Sequence, residues 1–86
     1  MGKYSMKDYS LKDSAKIRRL ALRYYINMKY RKGISKETAA LSKKKYLNQL
    51  RIYRRYKYPK QCQLITSDMK WIDKTYLPHG RTNSIC

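Results

Sequence analysis

Apolar and cationic positions separate along the first half of the chain. Ile17, Ala21, Tyr24 and Met28 recur at helical spacing. At about 100° per residue they fall opposite a narrow stripe of Lys12, Lys16, Arg19 and Arg23. Nothing from Ser10 to Lys32 breaks a helix, and Ser10 stands three residues before Asp13, a weak capping-box signal. Gly33 is placed to end the helix in the left-handed conformation that glycine adopts cheaply. The spacing predicts a helix over residues 10–33, preceded by an extended basic arm over residues 1–9. A second helix is expected over residues 35–58. Ser35 can cap it, and Glu37 complements its positive end. Ala39, Tyr46, Leu50 and Tyr53 form its apolar stripe, and Pro59 should stop it, because the residue ahead of a proline is pushed out of the helical region. Joined at Gly33, the two helices make a hairpin with a thin shared seam.

Beyond Pro59 the pattern changes. Gln61 to Thr66 reads as a short strand with Cys62 and Leu64 on one face, Ser67-Asp68 as a turn, and Trp71 to Leu77 as a second extended stretch. Pro78-His79-Gly80 closes it, and residues 81–86 read as a tail. The expected fold is mainly α and a single domain over residues 1–86. It has a basic arm, a two-helix hairpin and then a short β-hairpin or irregular segment over residues 59–86.

Charge changes the picture of that fold. The 86 residues carry 22 Lys and Arg against 5 acids, a formal charge of +17. A self-supporting domain of this size more usually carries about 2–8. A chain this short also buries only roughly 60% of its unfolded surface. Self-repulsion then works against compaction, so the expectation is an extended fold supported by a bound polyanion. An anionic membrane is one candidate, with residues 12–28 lying on lipid. Two tyrosines in the apolar face make that a poor fit, and no apolar run approaches the roughly 20 residues of a membrane span. The opening MGKYSMKDYS has no hydrophobic signal core, and Met6 stands where a myristoylation signal wants Ser or Thr.

Nucleic acid fits better. No acid stands between Glu37 and Asp68, a stretch holding Lys43, Lys44, Lys45, Arg51, Arg54, Arg55, Lys57 and Lys60. From Arg51 to Tyr58 cations alternate with phenol rings. Arginine forks two hydrogen bonds onto a phosphate, and a tyrosine ring such as Tyr56 or Tyr58 offers a face to an unstacked base. The ridge Lys12, Lys16, Arg19 and Arg23 has no interleaved acids for i,i+4 pairs, which favours a bound anion over a merely solvated face. Looped-out bases point to RNA rather than DNA, since no helix-turn-helix, zinc-finger or zipper spacing is present.

Cys62, His79 and Cys86 are the only cysteines and histidine. Their spacing lacks the ligand pairs of a zinc ribbon or knuckle, so no metal is expected. The two cysteines read as reduced thiols, with a Cys62–Cys86 disulfide as the other possibility. His79 in a Pro-His-Gly turn, with Asp68 and Asp73, makes no catalytic triad. No enzyme, cofactor or small-molecule substrate is implied.

This layout resembles the small-subunit ribosomal protein fourteen family in its short, zinc-free form. Lys7-Asp8-Tyr9 is similar to that family's basic arm, Arg18-Arg19-Leu20-Ala21-Leu22 to its first helix, and Lys60-Gln61-Cys62-Gln63-Leu64 with Thr66 to its central cysteine motif. Lys74, Tyr76 and Leu77 resemble its later basic-aromatic pattern. The family's Thr-Gly-Arg-x-Arg-Gly is replaced here by Thr66-Ser67-Asp68-Met69-Lys70, and its closing arginine by His79, with Arg81 the nearest cation. The resemblance implies a structural constituent of the ribosome, monomeric, bound to ribosomal RNA in the head of the small subunit beside other head proteins. The Lys- and Tyr-heavy composition points to a mitochondrial ribosome, with a cytoplasmic one as the alternative. Other expectations of the same chemistry are a different organellar ribosomal or RNA-assembly protein, and a DNA-packaging factor.

Overall fold

A computed structural model describes residues 9–86; most of the expected basic arm lies outside them. Three helices follow one another: α1 (Ala15–Arg31), α2 (Lys36–Arg54) and α3 (Pro59–Tyr76). No strand occurs among the described residues. The mainly helical class and the helical hairpin are as expected, and the C-terminal β-hairpin is not: residues 59–76 form a full helix.

Local signals explain the helix ends. Ser14, not Ser10, caps α1, its hydroxyl accepting from the Ile17 amide at 3.4 Å. Residues 11–13 form a turn instead of the first helical turn. Gly33 ends α1 with φ +94°. Its amide bonds the Tyr30 carbonyl at 3.0 Å while the Ile34 amide reaches back to Lys29 at 3.1 Å, a Schellman pair. Ser35 caps α2 by accepting from the Thr38 amide at 3.2 Å, and Glu37 lies in the first turn. α2 ends at Arg54, ahead of Pro59 as expected, and Pro59 then opens α3 at its first position, where the missing N–H costs nothing.

The reason α3 is a helix lies in which residues it buries. Cys62, Ile65, Thr66, Met69, Ile72 and Asp73 recur at spacings of three and four and all are buried. Ile65, Met69 and Ile72 join Leu22 and Ile26 of α1 and Ala39, Ala40 and Leu47 of α2 in one core. The two alanines let helices approach closely where a longer side chain would hold them apart. The apolar faces expected for the first two helices are rotated. Leu22 and Ile26 are fully buried, whereas Ile17, Ala21, Tyr24 and Met28 are half-buried. Tyr46 and Tyr53 are exposed, and Leu47 takes the central place on α2.

The expected extended shape is likewise corrected. The Cα radius of gyration is 12.7 Å, close to the roughly 12 Å of a compact domain of this length. A disulfide between Cys62 and Cys86, with Cα atoms 5.9 Å apart, replaces the expected free thiols. It ties residues 77–86 back onto α3. Closing a loop of 24 residues' separation removes unfolded-state entropy equivalent to roughly 3.5 kcal/mol in the chain-entropy treatment.

Two buried carboxylates on α3 hold the basic helices. Asp68 is fully buried and accepts from Arg18 Nε at 2.6 Å and from the Tyr9 hydroxyl. Arg19 Nε lies 3.6 Å from its other oxygen. Asp73 pairs with Lys44 Nζ at 2.6 Å and accepts from the Thr82 hydroxyl at 2.6 Å.

Candidate nucleic-acid interface

The basic-aromatic segment sits where α2 runs out and turns into α3. Residues 55–57 form the turn, and the Tyr58 amide closes it on the Arg54 carbonyl at 2.9 Å. Among the described residues nothing covers the outer side of this corner. Tyr53 is 79% exposed, Tyr56 83% and Tyr58 48%, with Ile52 also in water. Arg55, Lys57 and Lys60 are exposed among them. The Arg55 guanidinium lies 5.1 Å from the Tyr56 ring centroid, and Lys57 Nζ lies 5.8 Å from that of Tyr58. Each cation therefore stands beside the face of a ring, and both remain open to a ligand on the solvent side.

The same segment divides by helical phase. Arg51 is 5% exposed and turns inward. It donates to Asn48 Oδ1 at 3.0 Å, Thr66 Oγ1 at 2.9 Å and the Asn83 carbonyl at 2.7 Å. Those partners are all neutral, and burial pushes its guanidinium below its ordinary value. Arg51 is thus no phosphate anchor in this conformation. Arg54 is half-buried, bonding Gln61 Oε1 at 2.9 Å. Arg55 donates to the Ile85 carbonyl at 2.8 Å but stays exposed.

Elsewhere the expected cations split between surface and structure. On the α1 side, Lys12, Lys16 and Arg23 are exposed, with Arg23 5.8 Å from the Trp71 ring. Arg19 is drawn toward Asp68 and bonds Ser67 Oγ at 3.2 Å, so the ridge does meet an acid, one from α3. Lys43 lies between the rings of Tyr25 and Tyr46, at 4.6 and 4.7 Å. Lys44 is held by Asp73 and by the Arg81 carbonyl at 2.7 Å, while Lys45 and the Arg81 residue are exposed.

Other candidate chemistry is closed off or dispersed. Cys62 and Cys86 are bonded to each other and are not thiol ligands for zinc. His79 is exposed in the turn after α3, and Asp68 and Asp73 are paired with Arg18 and Lys44. The hydrogen bond to Asp68 raises the Arg18 guanidinium above its ordinary value, and burial followed by the Asp68 contact raises the Tyr9 phenol. Tyr53, expected in the apolar stripe of α2, is instead the most exposed ring after Tyr56 at this corner.

No family model, curated protein or solved structure matches the chain.

Proposed function

We propose that this chain is a non-enzymatic RNA-binding protein whose principal contact is the α2–α3 corner. One observation carries the reading: Tyr53, Tyr56 and Tyr58 stand in water beside Arg55, Lys57 and Lys60. Leaving large rings exposed forfeits burial worth roughly 2 kcal/mol each. A ligand that stacks on them and carries phosphates would recover it. The small ribosomal subunit is the assembly that the sequence resemblance favours, and ribosomal RNA the corresponding ligand.

The disulfide favours a second reading of the address. Such bonds persist where thiols are oxidised and are rare in the cytosol. The same corner would then bind RNA or packaged DNA in an oxidising compartment. Alkylating free thiols in protein taken directly from cells, and weighing the product, decides between the two addresses.

The binding test is a salt series with loop-rich RNA and with duplex DNA. Arg55→Glu with Lys57→Glu should flatten the log–log salt slope on single-stranded regions by about 1.4, roughly 0.7 for each lost contact. Tyr56→Ala should cost about 1–3 kcal/mol with little change in slope. Wild-type affinity and slope in both variants would move the RNA surface away from the corner, and tighter binding to duplex DNA would overturn RNA as the ligand.

A further inference from the structure

Residues 80–86 run without regular structure across α2, and their backbone meets a row of cations. Lys44 donates to the carbonyl of Arg81, Arg51 to that of Asn83, and Arg55 to that of Ile85, at 2.7, 2.7 and 2.8 Å. Arg51 and Arg55 stand one helical turn apart, roughly 6 Å, and Lys44 about two turns before Arg51. The tail thus presents alternate carbonyl oxygens to three cations along one helix, as a polynucleotide backbone would present its phosphates. A groove of about 590 Å³ opens beside it, with Lys44, Lys45, Asn48 and Arg51 in its wall.

Apart from those three bonds, little apolar surface holds the tail. Arg81, Asn83 and Ser84 are exposed, and only Leu77 and Ile85 offer half-buried apolar side chains. Thr82 bonds Asp73, and the Cys62–Cys86 disulfide anchors the far end. Arg51, meanwhile, is a buried cation whose partners among the described residues are all neutral. Such a charge is unfavourable in a dry site and would be better matched by an anion.

We infer that residues 81–85 occupy a seat for the backbone of single-stranded RNA, and that opening the Cys62–Cys86 disulfide vacates it. The inference rests on the RNA-binding reading and adds a second, gated contact to the open corner. Opening requires a dithiol reductant. One of its thiolates attacks Sγ of Cys86, the exposed partner, forming a mixed disulfide and releasing Cys62 as a thiolate that takes up a proton. The second thiol of the reductant then displaces Cys86, leaving two protein thiols and the oxidised, cyclic reductant; two electrons and two protons are transferred. In a reducing compartment the row is open. In an oxidising one the tail covers it.

The experiment compares the oxidised full chain with the Cys86→Ser variant, using a twelve-nucleotide oligouridine as probe. Backbone amide relaxation of residues 82–85 should change from rigid to mobile in Cys86→Ser. The log–log salt slope for the probe should steepen by about 1.4, equivalent to two further phosphate contacts at roughly 0.7 each. Arg51→Gln placed in the Cys86→Ser chain should remove about half of that gain. If circular dichroism finds that double variant unfolded, the slope difference between oxidised and Cys86→Ser protein decides alone. A tail that stays rigid in Cys86→Ser overturns the gate. A mobile tail with an unchanged slope overturns the seat while leaving corner binding intact. Absence of binding in both forms refutes RNA as the ligand of corner and seat together.

Discussion

Replacing Asp68 by Asn tests the electrostatic construction of this domain directly. Asp68 is fully buried and Arg18 is 4% exposed, joined through Nε at 2.6 Å and Nη2 at 3.3 Å. Asn keeps the shape and removes the charge. Arg18 would retain the Asp13 carbonyl, to which Nη1 donates at 3.0 Å, but no counter-ion in the core. Breaking a buried pair by removing one partner costs about 3–5 kcal/mol. A domain of this length is stable by only about 4–13 kcal/mol, so the loss is a large part of the total. At about 4–8 °C per kcal/mol, the melting temperature should fall by about 12 °C or more. Arg18→Met combined with Asp68→Leu should recover most of it, because an apolar pair of similar volume avoids the desolvation of both charges. Thermal unfolding followed by circular dichroism at fixed salt, with the disulfide intact, measures all three proteins. A loss below about 1 kcal/mol in Asp68→Asn, or a double variant as unstable as the single, would refute the claim that this pair organises α1 against α3.

Two other perturbations follow from the same geometry. Gly80→Ala would place a Cβ 2.9 Å from that of Leu77 and inside van der Waals contact of the Asp73 carboxylate, so the turn after α3 must shift; a loss of about 1–3 kcal/mol is expected by urea unfolding. The raised Tyr9 phenol favours the protonated form in the folded state. Its contribution is therefore complete below the ordinary value of about 10 and is lost as pH rises from there toward the raised folded-state value; the urea midpoint should drop above about pH 10 in wild type and by less in Tyr9→Phe.

The features legible in the sequence are those written in neighbouring residues. Gly33, Ser35 and Glu37 mark the α1–α2 junction through backbone geometry and capping, and both appear as read. The α3 helix escaped because its buried stripe includes Thr66 and Asp73, and Asp68 is buried beside it. Polar residues at those positions break the apolar period, and Ser67-Asp68 then imitates a turn. Arg18 misleads in the complementary way: counted as surface, it rotates the apparent core face of α1 toward Ile17 and Tyr24. Both errors are one pair, Arg18 with Asp68, fifty residues apart. Neither side chain announces its burial without the other. The interface divides in the same manner. The exposed corner was readable as alternating Arg, Lys and Tyr, whereas the inward turn of Arg51 depended on Thr66 and on a tail carbonyl far along the chain.

Seen electrostatically, α3 converts a basic hairpin into a domain. Residues 10–58 contain only Asp13 and Glu37 as acids, against a long row of cations. The hairpin alone would leave Arg18, Lys44 and Arg51 without the partners that bury them. α3 supplies Asp68 to α1, Asp73 to α2 and Thr66 to Arg51, while Cys62 brings back the tail that completes the set. Its apolar stripe and its carboxylates therefore act on the same two helices, one through burial and the other through charge. The consequence for binding is selective. Lys44 and Arg51 are withdrawn from the surface, and Arg19 and Arg54 are partly so. Arg55, Lys57 and Lys60 have no acid from α3 to meet and remain outward with their tyrosines. Within the basic-aromatic segment, packing of the third helix thus turns Arg51 inward and leaves Arg55 and Lys57 at the corner, while Lys12, Lys16, Arg23 and Lys45 stay exposed elsewhere.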